Sequence, residues 1–337
     1  MSWPQALHTV IGPFAEPRVR GAAEGMGAHG PTTQRLIHEG IVSPDLMCGM
    51  TLFLLARQRR REQRSAASGS ERSAPDDDAD RHTSDDDHDG GDAPPPRRTK
   101  ASPIEGGVWV REQFTIHRPL AVADAFVIDG AATGRFVRKG RRYGVTISRS
   151  QDSAGRLAAT NLTCGLLSYH AGTDEDSIEG QSLENTPSPS PDYPACSRNP
   201  HLDRLEAVQP GDTFGGDPLR LSLAMMAARD TTNPDNPIHS DLDAAKAAGL
   251  RMPIAGGSHV LSFALEPLMR AWGPEALLHG THFDVRWKAP TEAGSQIIPS
   301  ARVTAVGAKR IELAVQVVLG ESGAVALRGE LVVPRQP

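Results

Sequence analysis

The residues best suited to chemistry lie in one short run, Asp230-Thr-Thr-Asn-Pro-Asp-Asn-Pro-Ile-His-Ser-Asp241, followed further on by Pro253-Ile-Ala-Gly-Gly-Ser-His-Val260. The step Asn236-Pro237 forces an extended turn, because the proline ring fixes its own φ and pushes the preceding residue out of the helical region. Asp235 and His239 flank that turn and could be presented together at a cleft. A carboxylate and an imidazole so placed suit the holding and activation of one water, one group accepting its proton while the other donates to carbon. Gly256 and Gly257 open an apolar helix. Backbone N–H groups at such a start could hold an oxyanion, and the glycines would let a carbonyl approach closely. Competing readings stand beside these. Asp235 could be an Asx-turn residue, the glycines could serve close packing of helix on sheet, and His259 reads as a satisfied core histidine.

The elements that must carry this run are legible in the same half of the chain. Val260, Leu261, Phe263, Ala264, Leu265, Leu268, Met269 and Trp272 cover most of a helix surface, which predicts a helix buried on nearly all sides. Pro267 is expected to bend it or end its first segment, and Glu266 and Arg270 are spaced for an i,i+4 pair. Phe283, Val285 and Trp287 then alternate with Asp284, Arg286 and Lys288. Ile311, Leu313, Val315, Val317 and Leu319 alternate again, and Val325, Leu327, Leu331 and Val333 make a last strand. Consecutive strands without intervening helices favour an antiparallel sheet.

The first half echoes the second. Gly40 to Ala56 (GIVSPDLMCGMTLFLLA) parallels Gly249 to Leu265 (GLRMPIAGGSHVLSFAL), with Gly40 and Pro44 on Gly249 and Pro253 without a gap and Leu52 on Leu261. HRPLAVADAF (His117 to Phe126) parallels KAPTEAGSQI (Lys288 to Ile297), and strands around Tyr143, Val145 and Ile147 and from Leu157 to Tyr169 complete the echo. The expected fold class is therefore α+β, two units each with a long buried helix wrapped by an antiparallel sheet. The expected domains are 1–172, with an insertion at about 57–107, a linker at 173–200, and a second unit at 201–337. The insertion holds almost no large apolar side chain and reads as unable to offset its ordering entropy. Its Asp/His run, Asp76 to Asp92, reads as solvated rather than metal-binding. Ala28-His-Gly-Pro-Thr-Thr stands where the second unit has its motif but lacks the acid and the Asn-Pro, so the first half is expected to be structural.

The segments NPIHSD and PIAGGSHVLSF resemble the MaoC-like dehydratase family, which includes the R-specific enoyl-CoA hydratases and adopts the hotdog fold, often as a double hotdog. Its motif reads roughly D-x-N-P-(L/I)-H followed by a glycine-opened helix. The resemblance implies reversible hydration of a trans-2-enoyl thioester to a 3-hydroxyacyl thioester. It implies His239 as the catalytic histidine, Asn236-Pro237 as the turn, and Gly257, beside Gly256, as the oxyanion glycine. The family's aspartate lies five residues before the histidine. Here that position is Pro234, and Asp235 is the acid expected to reach the site. A non-catalytic acyl-thioester binder and a hotdog thioesterase are the rival functions.

Bulk properties narrow the rest. Net charge of -5 gives no reason to expect nucleic acid. Cys48, Cys164 and Cys196 are odd in number and lack a CxxC pair, which argues against a disulfide framework or structural zinc and fits a reducing compartment. No signal peptide or membrane-length apolar stretch is evident, so a cytoplasmic protein is expected. The expected partner is acyl-CoA or an acyl-carrier thioester, with no metal or redox cofactor, no membrane, and a monomer or homodimer of double units.

Overall fold

The computed structural model describes residues 7–11, 16–48, 108–168, 205, 207–230 and 237–335. In the first unit these form β1 (Leu7–Ile11), α1 (Glu16–Glu24), α2 (Pro31–His38), α3 (Pro44–Cys48), β2 (Val108–Ile116), β3 (Phe126–Arg138), β4 (Arg141–Asp152) and β5 (Leu157–Ser168). The second unit has β6 (Thr213–Gly215), β7 (Leu219–Arg220), α4 (Leu223–Asp230), α5 (Leu242–Ala247), α6 (Gly257–Trp272), β8 (Thr281–Trp287), β9 (Gln296–Val306), β10 (Arg310–Leu319) and β11 (Val325–Pro334).

All eleven strands join one antiparallel sheet, ordered β1-β3-β4-β5-β2-β8-β11-β10-β9-β6, with β7 also on β9. The order reads alike outward from the β2–β8 seam, so a pseudo-two-fold axis passes through that seam. There Phe114 pairs with Phe283, and the two rings stack at 4.2 Å between centroids. This is the expected α+β double hotdog. Ile311, Leu313, Val315 and Val317 of β10, Leu327, Leu331 and Val333 of β11, and Phe283 and Val285 of β8 are buried against α6, as alternation predicts.

Four expectations need correction. The helix α6 does not end its first segment at Pro267 but runs through it to Trp272. Glu266 does not pair with Arg270. It is buried, and its carboxylate accepts from Thr32 N (2.8 Å), Thr33 N (3.2 Å) and Thr33 Oγ1 (2.9 Å), so it caps the first unit's α2. In β4 the apolar alternation faces outward. Val145 is buried with Leu162 and Cys164, flanked by Tyr143 and Ile147, in a satellite cluster, whereas the side turned to the main core carries Thr146, Ser148 and Ser150.

The fourth concerns the repeat. HRPLAVADAF and KAPTEAGSQI correspond as expected: His117 N and Lys288 N bond to Ala158 O and Ala326 O. Gly40 and Gly249 also correspond, each with positive φ after a helix. Pro44 and Pro253 do not. Ile41 bridges to Ala121 as Ile254 bridges to Glu292, so the offset between units widens from 209 at the glycines to 213 at the bridges. Four residues are inserted in the second unit, and Pro44 matches Gly257, each the first residue of its helix. Leu52 lies outside the described residues, as do the insertion, the linker and Cys196.

Polar links lock the units together. Arg229 of α4 and Asp45 of α3 form a buried ion pair at 2.5 Å. Among the described residues no helix is long and apolar enough to cross a membrane.

Candidate functional site

Residues 231–236, with Asp235 and Asn236, lie outside the described residues, and the structure places the motif from Pro237 onward. Pro237–His239 forms a short 3-10 turn in which Ile238 is buried. Asp241, just beyond, caps α5 by accepting from Ala244 N at 2.8 Å. The buried Ile238 and this cap hold the turn from both sides, so His239 is carried on a fixed backbone. In the first unit a matching 3-10 turn, Gly27–His29, precedes α2, which is where Ala28-His-Gly-Pro-Thr-Thr was expected to mirror the motif.

His239 is tied to the segment that enters α6. Its Nδ1 lies 2.7 Å from Ile254 O. A carbonyl only accepts, so Nδ1 carries the hydrogen, and in the neutral ring Nε2 holds the lone pair. Ile254 N donates back to Ile238 O at 3.3 Å. The four-residue insertion makes both bonds available: Leu250 closes the α5 cap, as Ile41 does for α2, which leaves Ile254 to make the sheet bridge and hold the histidine.

Two residues farther lies the start of α6. Gly256 is its N-cap, with φ -61° and ψ 148°, and a Cβ there would meet nothing within 4 Å. The first amides of a helix have no intrahelical acceptor, so an acyl oxygen brought to this open side finds donors and the positive end of the helix dipole. Gly257 is crowded instead. A Cβ on it would stand 2.7 Å from Trp109 Cε3 and 3.0 Å from Trp287 Cε2. Trp287 Nε1–H donates to Gly257 O at 3.0 Å, and the two indoles lie 5.4 Å apart. The packing reading therefore holds for Gly257, while the open approach belongs to Gly256.

His259 is the core histidine expected. It is buried, and its Nε2–H donates to Gly25 O of the first unit at 2.8 Å. Burial first, then the charges of Arg229 and His239, push its pKa down to about 3 even against that hydrogen bond, so it stays neutral and does not compete as a base. Among the described residues no three His, Cys, Asp or Glu side chains converge to hold a metal.

Trp109 and Arg229 had no motif to mark them. Trp109 opens β2 of the first unit and reaches Gly257 only because β2 and β8 join the two sheets. Arg229 is the last but one residue of α4, and its burial against Asp45 fixes the end of that helix. A groove of 770 Å³ lies elsewhere, on the outer face of the second unit's sheet, lined by Arg286, Arg302, Arg328, Asp284, Glu330 and Phe214 among others.

Comparison with known proteins bears on the fold. Residues 219–324, which span the His239 turn, α6 and the first three strands that follow, match the MaoC like domain family. The whole chain is similar in structure to a MaoC-like dehydratase at 18% identity, with 97% of each chain covered and a TM-score of 0.59. It is also similar to the peroxisomal multifunctional enzyme type 2 of Drosophila melanogaster at 16% identity and a TM-score of 0.56, covering 97% of this chain and 48% of that one. HtdX of Mycobacterium tuberculosis is similar at 15% identity and a TM-score of 0.52, with 96% of this chain and 98% of that one covered. The chain thus spans about half of the Drosophila enzyme, and likenesses at these identities concern the fold. No curated protein matches the chain in sequence.

Proposed function

We propose, from the match of residues 219–324 to the MaoC like domain family, that the chain is a hydro-lyase interconverting a trans-2-enoyl thioester and its 3-hydroxyacyl thioester. The observation that carries this reading is the Nδ1–H bond from His239 to Ile254 O. It selects the tautomer whose Nε2 can take a proton, on a turn bonded to Ile254, two residues before the N-cap glycine of α6.

In the proposed reaction Asp235 and His239 hold one water between them. The water oxygen forms the bond to C3 while one of the two groups takes its proton and the other delivers a proton to C2, so that H and OH add across the double bond. Charge developing on the thioester oxygen is met by the amides at Gly256 and Gly257. Asn236, next to Asp235 in the sequence, is the motif's turn residue in this reading. The thioester is carried by coenzyme A or by a carrier protein, and no metal or redox group enters the reaction.

The test is hydration of crotonyl-CoA, followed by loss of enoyl absorbance together with an assay for free thiol, for wild type, Asp235→Asn and His239→Ala. Wild type is expected to consume the enoyl chromophore without releasing thiol, and each variant to fall by about 100-fold or more while remaining folded. Release of thiol would make the protein a thioesterase. A folded wild type inert toward short and long enoyl thioesters would leave an acyl-thioester binder.

A further inference from the structure

We propose that the basic edge formed by the β3–β4 hairpin and the end of β8 is the docking surface for an acidic carrier protein, which delivers the acyl group on its phosphopantetheine arm. The proposal rests on the thioester reading of the site and names the partner that brings the substrate.

The sheet register puts the relevant residues at one end of the molecule. The start of β2, at Val108 and Trp109, pairs with Leu166 and Gly165 at the end of β5. Those residues pair in turn with Tyr143 and Gly144, just inside the β3–β4 turn. Across the seam, Arg111 pairs with Arg286, one residue before Trp287 and two before Lys288. The hairpin tip, the tryptophans against Gly257, and Lys288 therefore share one rim, beside the start of α6.

That rim is cationic and poorly neutralised. Arg111, Arg286 and Arg328 stand abreast on three adjacent strands, an arrangement that repels unless an anion faces it. Asp284 engages Arg111 with two bonds, at 2.8 and 2.6 Å, and lies 3.7 Å from Arg286. Arg328, Lys288, Arg138 and Lys139 have no carboxylate partner among the described residues. Arg138 belongs to the first unit and Lys288 to the second, yet they feel each other. Burial first, then Arg328, Arg286 and Arg138, lower the pKa of the Lys288 ammonium.

The hairpin presents its charges rigidly. Lys139 and Gly140 both have positive φ, 52° and 68°, which is the two-residue turn that matches strand twist. Arg138 and Arg141 flank it, and Val137, half exposed, sits beside them. An exposed valine among cations, next to a groove containing Arg286 and Arg328, fits the face of an acidic protein. The phosphates of a nucleotide would use two or three of these cations and would leave the valine without purpose.

The test pairs binding with turnover, using the full chain and a small acidic acyl carrier protein bearing crotonyl-phosphopantetheine. The variant is Arg138→Glu with Lys139→Asp, since an Asp-Gly pair keeps the turn; Lys288→Gln serves as a second variant remote from that turn. Wild type should bind the labelled carrier with an affinity that weakens as salt rises, and each variant should bind it about tenfold or more weakly. Turnover should fall by a similar factor on the carrier-borne substrate and stay within about twofold on crotonyl-pantetheine, which lacks the carrier. Equal carrier binding by wild type and both variants overturns the proposal. So does a loss confined to crotonyl-CoA, which would make the edge a phosphate site. Failure of wild type to hydrate both the carrier-borne and the pantetheine substrate would refute the hydro-lyase reading alone, because the binding titration decides the docking surface independently.

Discussion

Replacing Gly257 by alanine separates packing from chemistry at the start of α6. The new Cβ would lie 2.7 Å from Trp109 Cε3 and 3.0 and 3.1 Å from Trp287 Cε2 and Cζ2, closer than carbon atoms rest. Trp287 cannot simply withdraw, because its indole N–H is bonded to Gly257 O at 3.0 Å and that bond contributes about 1 kcal/mol. Overpacking of this kind costs about 1–3 kcal/mol. Alanine's better helix propensity returns less than about 1 kcal/mol at a first-turn position. A net destabilisation of about 1–3 kcal/mol is expected, read as a drop of about 2–4 °C in Tm per kcal/mol. Tryptophan emission should shift as the indole pair is prised apart. Gly256→Ala is the internal control: its Cβ meets nothing within 4 Å and its φ of -61° suits any residue, so its stability should stay within about 0.5 kcal/mol of wild type. Thermal and urea unfolding of the two variants, with emission spectra, decides the matter. If Gly257→Ala melts with wild type and keeps its emission, or if Gly256→Ala loses as much, the indole-packing account of this helix start is wrong.

Two further substitutions probe how the site is held. Asp45→Ala strands Arg229, whose side chain is only 6% exposed, and should cost about 3–5 kcal/mol in urea unfolding; the double change Asp45→Ala with Arg229→Met should recover part of that loss. Glu112 is fully buried, and burial raises its pKa to about 8 against hydrogen bonds from Asn161 and Thr163 that lower it. The folded state therefore keeps a proton that the unfolded chain releases in the ordinary carboxylate range. The stability this proton provides is complete below that range and is lost as pH rises to about 8, at about 1.4 kcal/mol per pH unit. Glu112→Gln should flatten that slope in unfolding free energies measured between about pH 5 and about pH 8, and an unchanged slope would count against a neutral buried carboxyl.

What could be read without coordinates were features whose cause is local. Period-two alternation in β8, β10 and β11 reports burial of one strand face. The all-round apolar surface from Val260 to Trp272 reports a central helix. Asn236-Pro237 and the paired glycines report backbone restrictions that belong to those residues themselves. Together with the echo of HRPLAVADAF in KAPTEAGSQI, they were enough for two α+β units, each a buried helix wrapped by an antiparallel sheet, which the family resemblance identifies as a double hotdog, and for His239, Gly256 and Gly257 as candidate site residues. Alternation does not say which face meets the core, and so Tyr143, Val145 and Ile147 proved to face outward. Spacing does not say which neighbour wins, and so Glu266 bonds to Thr32 and Thr33, whose amides have no helical acceptor, rather than to Arg270 one turn away.

The tertiary structure alone decided the rest, because each remaining feature depends on residues far apart in the chain meeting across the seam. Trp109 reaches Gly257 through sheet continuity between β2 and β8. The charge of Arg138 acts on Lys288 because β3, β4, β5, β2 and β8 line up their ends. The four-residue shift that frees Ile254 O to orient His239 shows only in the hydrogen-bond register, since a gap-free match of glycine and proline conceals it. A sequence states which groups are available. Which of them become neighbours is decided by how two sheets share an edge.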